Sequence, residues 1–304
     1  MDEHSFQHSV ELAPLRGAYD EPCMFGVVVT PSRPHIHIDS LPVEWLRDLV
    51  RDRRLVVLRD FDSFDSSHSL VRYCSAFGEI KMWQFGAVLE LVQHPNPEDH
   101  VFDNSYVPLH WDGMYLDTVP EFQVFHCVHA IDEAQGGRTI FSSTPEALLV
   151  ATPQARELWS RARGSYQRSV ALYSSRTQAP IIDRHPRRHF PILRFCEPPR
   201  DSDDTFINPS IFEFDGIAPD EHQVLLSSLR SSLYDPRVSY AHHWQAGDVV
   251  VADNFTLLHG REAYASRSGR HLRRVHIHGD PPLRNPHIST SYQHQANQAN
   301  QAET

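Results

Sequence analysis

Three residues of this 304-residue chain have the types and spacing for metal chemistry, and a fourth trails them at a telling distance. His110-Trp111-Asp112 offers an imidazole and a carboxylate two residues apart. His259 follows a short apolar run, and Arg270 lies eleven residues beyond it. Two imidazoles and one carboxylate are the ligand set that holds Fe(II) on one face and leaves the other face open for dioxygen and a chelating co-substrate. In a β-strand, side chains at i and i+2 point the same way, so His110 and Asp112 can reach one ion while Trp111 points to the opposite face. In a helix the same pair would diverge by about 200°. The preceding run Tyr106-Val107-Pro108-Leu109 argues against a helix there.

With 21 histidines, such a pair also arises by chance, and His37-Ile38-Asp39 is a second copy. It precedes Ser40-Leu41-Pro42, which reads as a helix start, so Asp39 is expected to be a turn or cap residue. The downstream half of the pattern is richer. After Asp253-Asn254-Phe255-Thr256-Leu257-Leu258-His259 comes a turn containing Ser268-Gly269, then a second strand pattern. On that strand Arg270, Leu272, Arg274 and His276 share one face, and His271, Arg273 and Val275 share the other. Two arginines therefore point together, and arginine suits bidentate carboxylate binding. One can anchor the far carboxylate of a dicarboxylic co-substrate, and the other can receive an acidic substrate. Each residue also has a plain structural reading: His259 as a hydrogen-bonded core histidine, Arg273 as a surface or salt-bridging residue, Arg274 as a structural residue. His276 and His278 form a further pair at strand spacing, with no carboxylate in matching order. The spacing of the whole set favours the metal reading.

These residues need a rigid frame, and the chain has the composition for one. Its length could hold one large domain or two small ones, and 40% hydrophobic content can fill a substantial core. The formal charge of −11 argues against nucleic-acid binding. The start Met1-Asp2-Glu3-His4 lacks a signal-peptide pattern, and no apolar run approaches the ~18 residues of a membrane helix. Cys23, Cys74, Cys127 and Cys196 are widely spread and read as reduced thiols in a cytoplasm. Four prolines break residues 1–40 into short strand-like pieces. Helical spacing covers 41–54 (Val43, Leu46, Leu49, Val50) and about 65–77 (Leu70, Cys74, Phe77). Thr144-Pro145-Glu146 opens a third helix with the threonine as N-cap, and Pro219 opens a fourth with Leu226, Leu229 and Leu233 on its inner face. Leu55 to Leu58, Glu121 to Val128, Val249 to Val251 and Leu272 to His278 read as strands. Many short strands with Pro- and Gly-rich turns, and helices confined to insertions, predict a mainly β (α+β) protein, a double-stranded β-helix or distorted jelly roll. A single domain over 1–288 is expected, with a flexible polar tail over 289–304, the composition turning Gln/Asn/Ala/Ser-rich from about Pro286.

The ordered set His110-Trp111-Asp112, Gly136-Gly137-Arg138-Thr139, Asp253-Asn254 with His259, and Arg270 resembles the taurine dioxygenase-like family of Fe(II)/2-oxoglutarate oxygenases. The resemblance implies Fe(II) at His110, Asp112 and His259, 2-oxoglutarate and O2 as co-substrates, the side carboxylate of 2-oxoglutarate on Thr139 and Arg270, and the substrate's acidic group on Arg274. Phrases at 106–115, 119–127, 190–199 and 257–263 are similar to one branch, the oxygenases of pyoverdine-chromophore and paerucumarin biosynthesis, over about residues 10–288. That branch implies desaturation of an aromatic amino-acid isonitrile, typically tyrosine isonitrile, to a vinyl isonitrile, with or without loss of the carboxylate. Arg194 is then a second candidate for the substrate carboxylate, and Asn104, Tyr106 and Tyr115, which flank the metal motif, are expected to line the aromatic pocket. Hydroxylation of another small acidic substrate, hydrolysis at zinc on the same three ligands and a non-catalytic binding protein are the rivals. The arginine eleven residues past His259 counts against the last two, since neither needs a dicarboxylate anchor. Phenol or indole, carboxylate fate, alkene geometry and oligomeric state, including a homo-oligomer, stay open.

Overall fold

The computed structural model describes residues 9–17, 20–170, 173–199, 206–265 and 269–293. In chain order its strands are β1 (Val10–Arg16), β2 (Pro22–Pro31), β3 (Leu55–Leu58), β4 (Val88–Leu91), β5 (Val107–His110), β6 (Thr118–Val119), β7 (Phe122–His129), β8 (Thr139–Ser143), β9 (Arg163–Val170), β10 (Tyr173–Pro180), β11 (Ile182–Arg184), β12 (Pro191–Leu193), β13 (Ile211–Asp215), β14 (Ser239–His242), β15 (Val249–Asp253), β16 (Leu257–Arg261), β17 (His271–Ile277), β18 (Leu283–Arg284) and β19 (Ile288–Gln293). Its helices are α1 (Val43–Arg53), α2 (Ser67–Phe77), α3 (Thr144–Val150), α4 (Pro153–Arg161) and α5 (His222–Leu233).

Two sheets face each other as the expected distorted jelly roll. The larger runs β1-β2-β3-β15-β7-β17-β4 and the smaller β14-β8-β16-β5. Strand alternation sorts each side chain. On β7, Phe125 and Cys127 face inward with Val250, Leu257, Phe141 and Leu272, filling the space between the sheets. Phe122 and Val124 face outward, under α1 and α2, against Leu46, Val50, Leu70 and Phe77. The outer side of the smaller sheet is covered by α3, α4 and α5 through Leu148, Trp159, Leu225 and Leu229. A third sheet, β13-β9-β10-β19, joins that layer.

The four expected helices form, with shifts at their starts. Ser143, not Thr144, is the N-cap of α3, because the Thr144 hydroxyl is used across the sheet, donating to the Thr256 carbonyl at 2.8 Å. Pro219 opens a single tight turn that leads into α5, and Leu225, Leu229 and Leu233 are its buried side, with Leu226 partly buried beside them. The helix α4, not anticipated from the sequence, carries the same signals as α3: Thr152 caps it by accepting from the Ala155 N–H, and Pro153 stands in its first turn. The first residues of the expected polar tail are a strand. Ile288–Gln293 pairs with β10 as an edge strand, its ladder to Tyr173–Thr177 overriding a polar composition. The rest of that tail, 294–304, the start at 1–8 and Ser268 lie outside the described residues. Among the described residues no helix is long and apolar enough to cross a membrane.

Candidate metal centre and its surroundings

Strands β5 and β16 pair antiparallel with His110 opposite His259, and their rings sit 4.3 Å apart between centroids. Asp112 completes the group: one ligating atom from each of the three residues lies within 4.8 Å of the others. His110 Nε2 is 3.7 Å from Asp112 Oδ1, and His259 Nε2 is 3.8 Å from Oδ2. The route to this geometry differs from the strand argument. β5 ends at His110, and Asp112 stands in the turn that follows. Asn254 fixes that turn by accepting from the Asp112 N–H and donating to the Asp112 carbonyl, both at 2.9 Å. Gly113 permits it, with φ +85° and a would-be Cβ only 2.7 Å from Pro120. Trp111 points away from the pair into the outer layer, as expected.

The electrostatics suit a divalent cation. Burial alone would raise Asp112, but the Arg274 guanidinium, with the hydrogen bond from His276, outweighs it and holds the carboxyl well below its ordinary range. Burial keeps His259 far below its ordinary value, and burial likewise lowers His110. The set is therefore one anion and two neutral imidazoles with lone pairs to give. His110 donates from Nδ1 to the Pro108 carbonyl at 2.8 Å, which leaves Nε2 free for the ion. Three groups grip Asp112 Oδ2 from behind: Gln123 and His276 at 2.7 Å, and Arg274 at 2.8 Å. A three-residue facial set with its carboxylate oriented in this way fits a ferrous ion.

The second half of the site is a buried cation. Arg270, 5% exposed, lines a cavity of about 50 Å³ together with Thr139, Phe125 and the triad histidines. It donates to the Gly137 carbonyl at 3.0 Å and to the Thr139 hydroxyl at 3.4 Å, and packs against the Tyr264 ring. Trp244 also donates to that hydroxyl, at 2.9 Å. Among the described residues no carboxylate pairs with Arg270, and burial, then the neighbouring Arg261, lowers it to about 10. A buried guanidinium without a counter-ion, in one cavity with the two triad histidines, calls for an anionic ligand.

Of the residues expected at the substrate, the structure brings two to the site. Arg274 reaches both the cavity and Asp112. Tyr115, donating to the Ser210 hydroxyl at 2.7 Å, lines a second cavity of about 40 Å³ on the His110 side. The other three do not line these two cavities. Arg194 packs over the Trp111 ring at 4.8 Å, 4.0 Å from Asp183, because Trp111 faces outward and carries it along. Asn104 fastens the segment before Arg270, donating to the Tyr264 carbonyl at 2.9 Å, and Tyr106 tilts against Phe206. The second H-x-D copy is a local cap, where His37 accepts from the Asp39 N–H. Sequence reading missed Gln123 and His276 as holders of Asp112. The strand pattern had put His276 on the Arg270 face, but only the register of β17 on β7, which pairs His276 with Gln123, sets both behind Asp112.

The model of the "Taurine catabolism dioxygenase TauD, TfdA family" matches residues 12–276. Proteins named tyrosine isonitrile desaturase are similar in Erwinia amylovora (61% identity, 96% of this chain and 100% of that one) and Pseudomonas aeruginosa (58%, 95% and 99%). A solved structure described as PvcB, an Fe, alpha-ketoglutarate dependent oxygenase from an isonitrile synthetic pathway, superposes with a TM-score of 0.82 at 55% identity, covering 93% of this chain and 96% of that one.

Proposed function

The chain belongs to the TauD/TfdA dioxygenase family, and on that premise we infer that it is an Fe(II)/2-oxoglutarate-dependent oxygenase that desaturates tyrosine isonitrile to a vinyl isonitrile. The observation that carries this reading is the sharing of one cavity by the two triad histidines and the uncompensated Arg270. A diacid with one end at the ion and the other on the guanidinium satisfies both.

His110, Asp112 and His259 would hold the ion, and Arg270 with Thr139 would clasp the distal carboxylate of 2-oxoglutarate. When bound, iron and 2-oxoglutarate supply the dioxygen-dependent oxidant that removes hydrogen, and the protein's part is placement. Gln123 and His276 keep the Asp112 carboxylate oriented. Arg274, at 2.8 Å from Asp112 and on the cavity wall, supports a role as receiver of the substrate carboxylate. That pairing holds the benzylic carbon near the triad. The inward-facing Phe125, Leu272 and Phe141 exclude water from the cavity side. Four buried thiols without disulfide partners fit a reducing compartment, and we assign the protein to the cytoplasm. A zinc hydrolase would use the same three ligands but has no work for Arg270.

The test is anaerobic incubation of the purified protein with Fe(II), 2-oxoglutarate and tyrosine isonitrile, followed by oxygen. Succinate should form in step with a product lighter by two hydrogens, or by one hydrogen and the carboxyl group. A product heavier by one oxygen would replace desaturation with hydroxylation.

A further inference from the structure

Beyond Arg274 the site opens into a cleft of about 450 Å³, within the ~300–1,000 Å³ of small-molecule sites. The two smaller cavities beside the triad are an order of magnitude below it and have no room for an aromatic ring. One wall is a tight hairpin in which Trp83 and Gly86 exchange backbone hydrogen bonds at 3.0 Å. It stacks Trp83 on Phe85 with rings 5.7 Å apart and nearly parallel. Trp83 also packs 5.9 Å from His276, the residue behind Asp112, which ties the hairpin to the metal centre. Another part of the wall is a second stacked pair, His94 on Phe102 at 4.3 Å. Phe85 is 48% exposed, so its ring is open to a ligand. Of the polar lining, Asn96 and Glu98 are exposed to solvent, while Asp99 and Arg168 are largely buried and pair with each other at 2.6 Å.

We propose that this cleft is the aryl subsite of the oxygenase and that it reads the face of the substrate's ring, not its para substituent. The proposal rests on the reaction inferred above. With the carboxylate on Arg274, the ring of an aromatic isonitrile extends between the Trp83/Phe85 and His94/Phe102 pairs, and its far edge reaches the open end. Stacking on aromatic faces selects any flat ring. A hydroxyl is strongly discriminated only when buried polar groups would be left unpaired without it. Here Asn96 and Glu98 keep their water and Asp99 and Arg168 already satisfy each other, so the hydroxyl is recognised weakly.

The experiment compares three substrates, the isonitriles of tyrosine, phenylalanine and tryptophan, on wild type, Trp83→Ala, Phe85→Ala and Trp83→Phe. Wild type should take the phenylalanine compound with kcat/KM within about tenfold of the tyrosine compound. Trp83→Ala and Phe85→Ala should raise KM about tenfold for every ring with kcat little changed, and Trp83→Phe should recover most of the loss. Calorimetric binding of tyrosine isonitrile to the metal-free protein should weaken in the same order, a readout independent of turnover. A drop of about a thousandfold or more for the phenylalanine compound would overturn ring-face recognition. Unchanged KM and binding in both alanine variants would overturn the cleft as the subsite. Wild type that consumes none of the three isonitriles would overturn the assigned reaction, and this inference with it.

Discussion

Asp112 carries more of the site than its place in the sequence suggests. Its Oδ2 is held by Gln123, His276 and Arg274, none of which is a candidate ligand of the ion. Such outer partners orient the carboxylate, and losing one typically lowers metal affinity about 10–100-fold. His276→Leu should therefore weaken Fe(II) binding by that factor in a chelator competition, with His276→Gln recovering part of it; equal affinity in both variants would dismiss the role. Arg270 makes the converse prediction. It is buried without an anion, so Arg270→Met should leave the melting temperature of the ligand-free protein unchanged or higher, because an uncompensated charge is removed. The same change should raise KM for 2-oxoglutarate roughly 100-fold or more, and abolish the stabilisation that 2-oxoglutarate gives the wild type in thermal melts. Retained stabilisation would mean that the diacid is anchored elsewhere. At this scale the triad and Arg270 were legible because residue type and order along the chain carry them. Gln123 and His276 were not, because nothing local distinguishes a strand glutamine behind a metal from one facing solvent.

Between elements, the pairing of β5 with β16 is what closes the triad. Gly260, next to His259, makes that approach possible: a Cβ there would lie 2.6 Å from the Val107 carbonyl oxygen and 3.4 Å from the Leu109 nitrogen. Gly260→Ala should force the strands apart, destabilise the fold by about 1–3 kcal/mol and lower Fe(II) affinity together. Denaturant melts and metal titration on the same preparation check this; a loss of stability with metal affinity intact would show that the two histidines are held independently of the strand contact. The helices α1 and α2 were readable because one face of each is buried, and β3, β7 and β15 because burial on both faces makes them short, mostly apolar runs. Asp112 was right in position and wrong in reason, since a turn braced by Asn254 does what a strand would have done. β19 was misread as tail because an edge strand needs little apolar sequence when a neighbour supplies its hydrogen bonds.

Across the whole molecule, the buried histidines set an acid limit on stability. Burial, aided by Arg273 and His271, lowers His126 to about 4, and burial with Arg188 nearby lowers His185 to about 3. Both lie below the unfolded value of about 6.5, so their contribution is present above that pH and fades as pH falls through the folded values. Unfolding free energy should drop by on the order of 1–3 kcal/mol per histidine between pH 6.5 and 4. Urea midpoints at pH 7.5 and 4.5 measure it, and an invariant midpoint would contradict the neutral, buried state of both rings. The sequence alone determined the ligand types, their order, the arginine that follows them and the alternation that makes two apposed sheets, because these are local properties of residue type and period. Only the tertiary structure decided that Arg194, Asn104 and Tyr106 do not line the cavities beside the triad, that His276 stands behind Asp112, and that the cleft beyond Arg274 brings Trp83, Phe85, His94 and Phe102 together with Arg168 and Asn208. Register between strands and the path of loops follow from packing summed over the chain, and no short stretch encodes them.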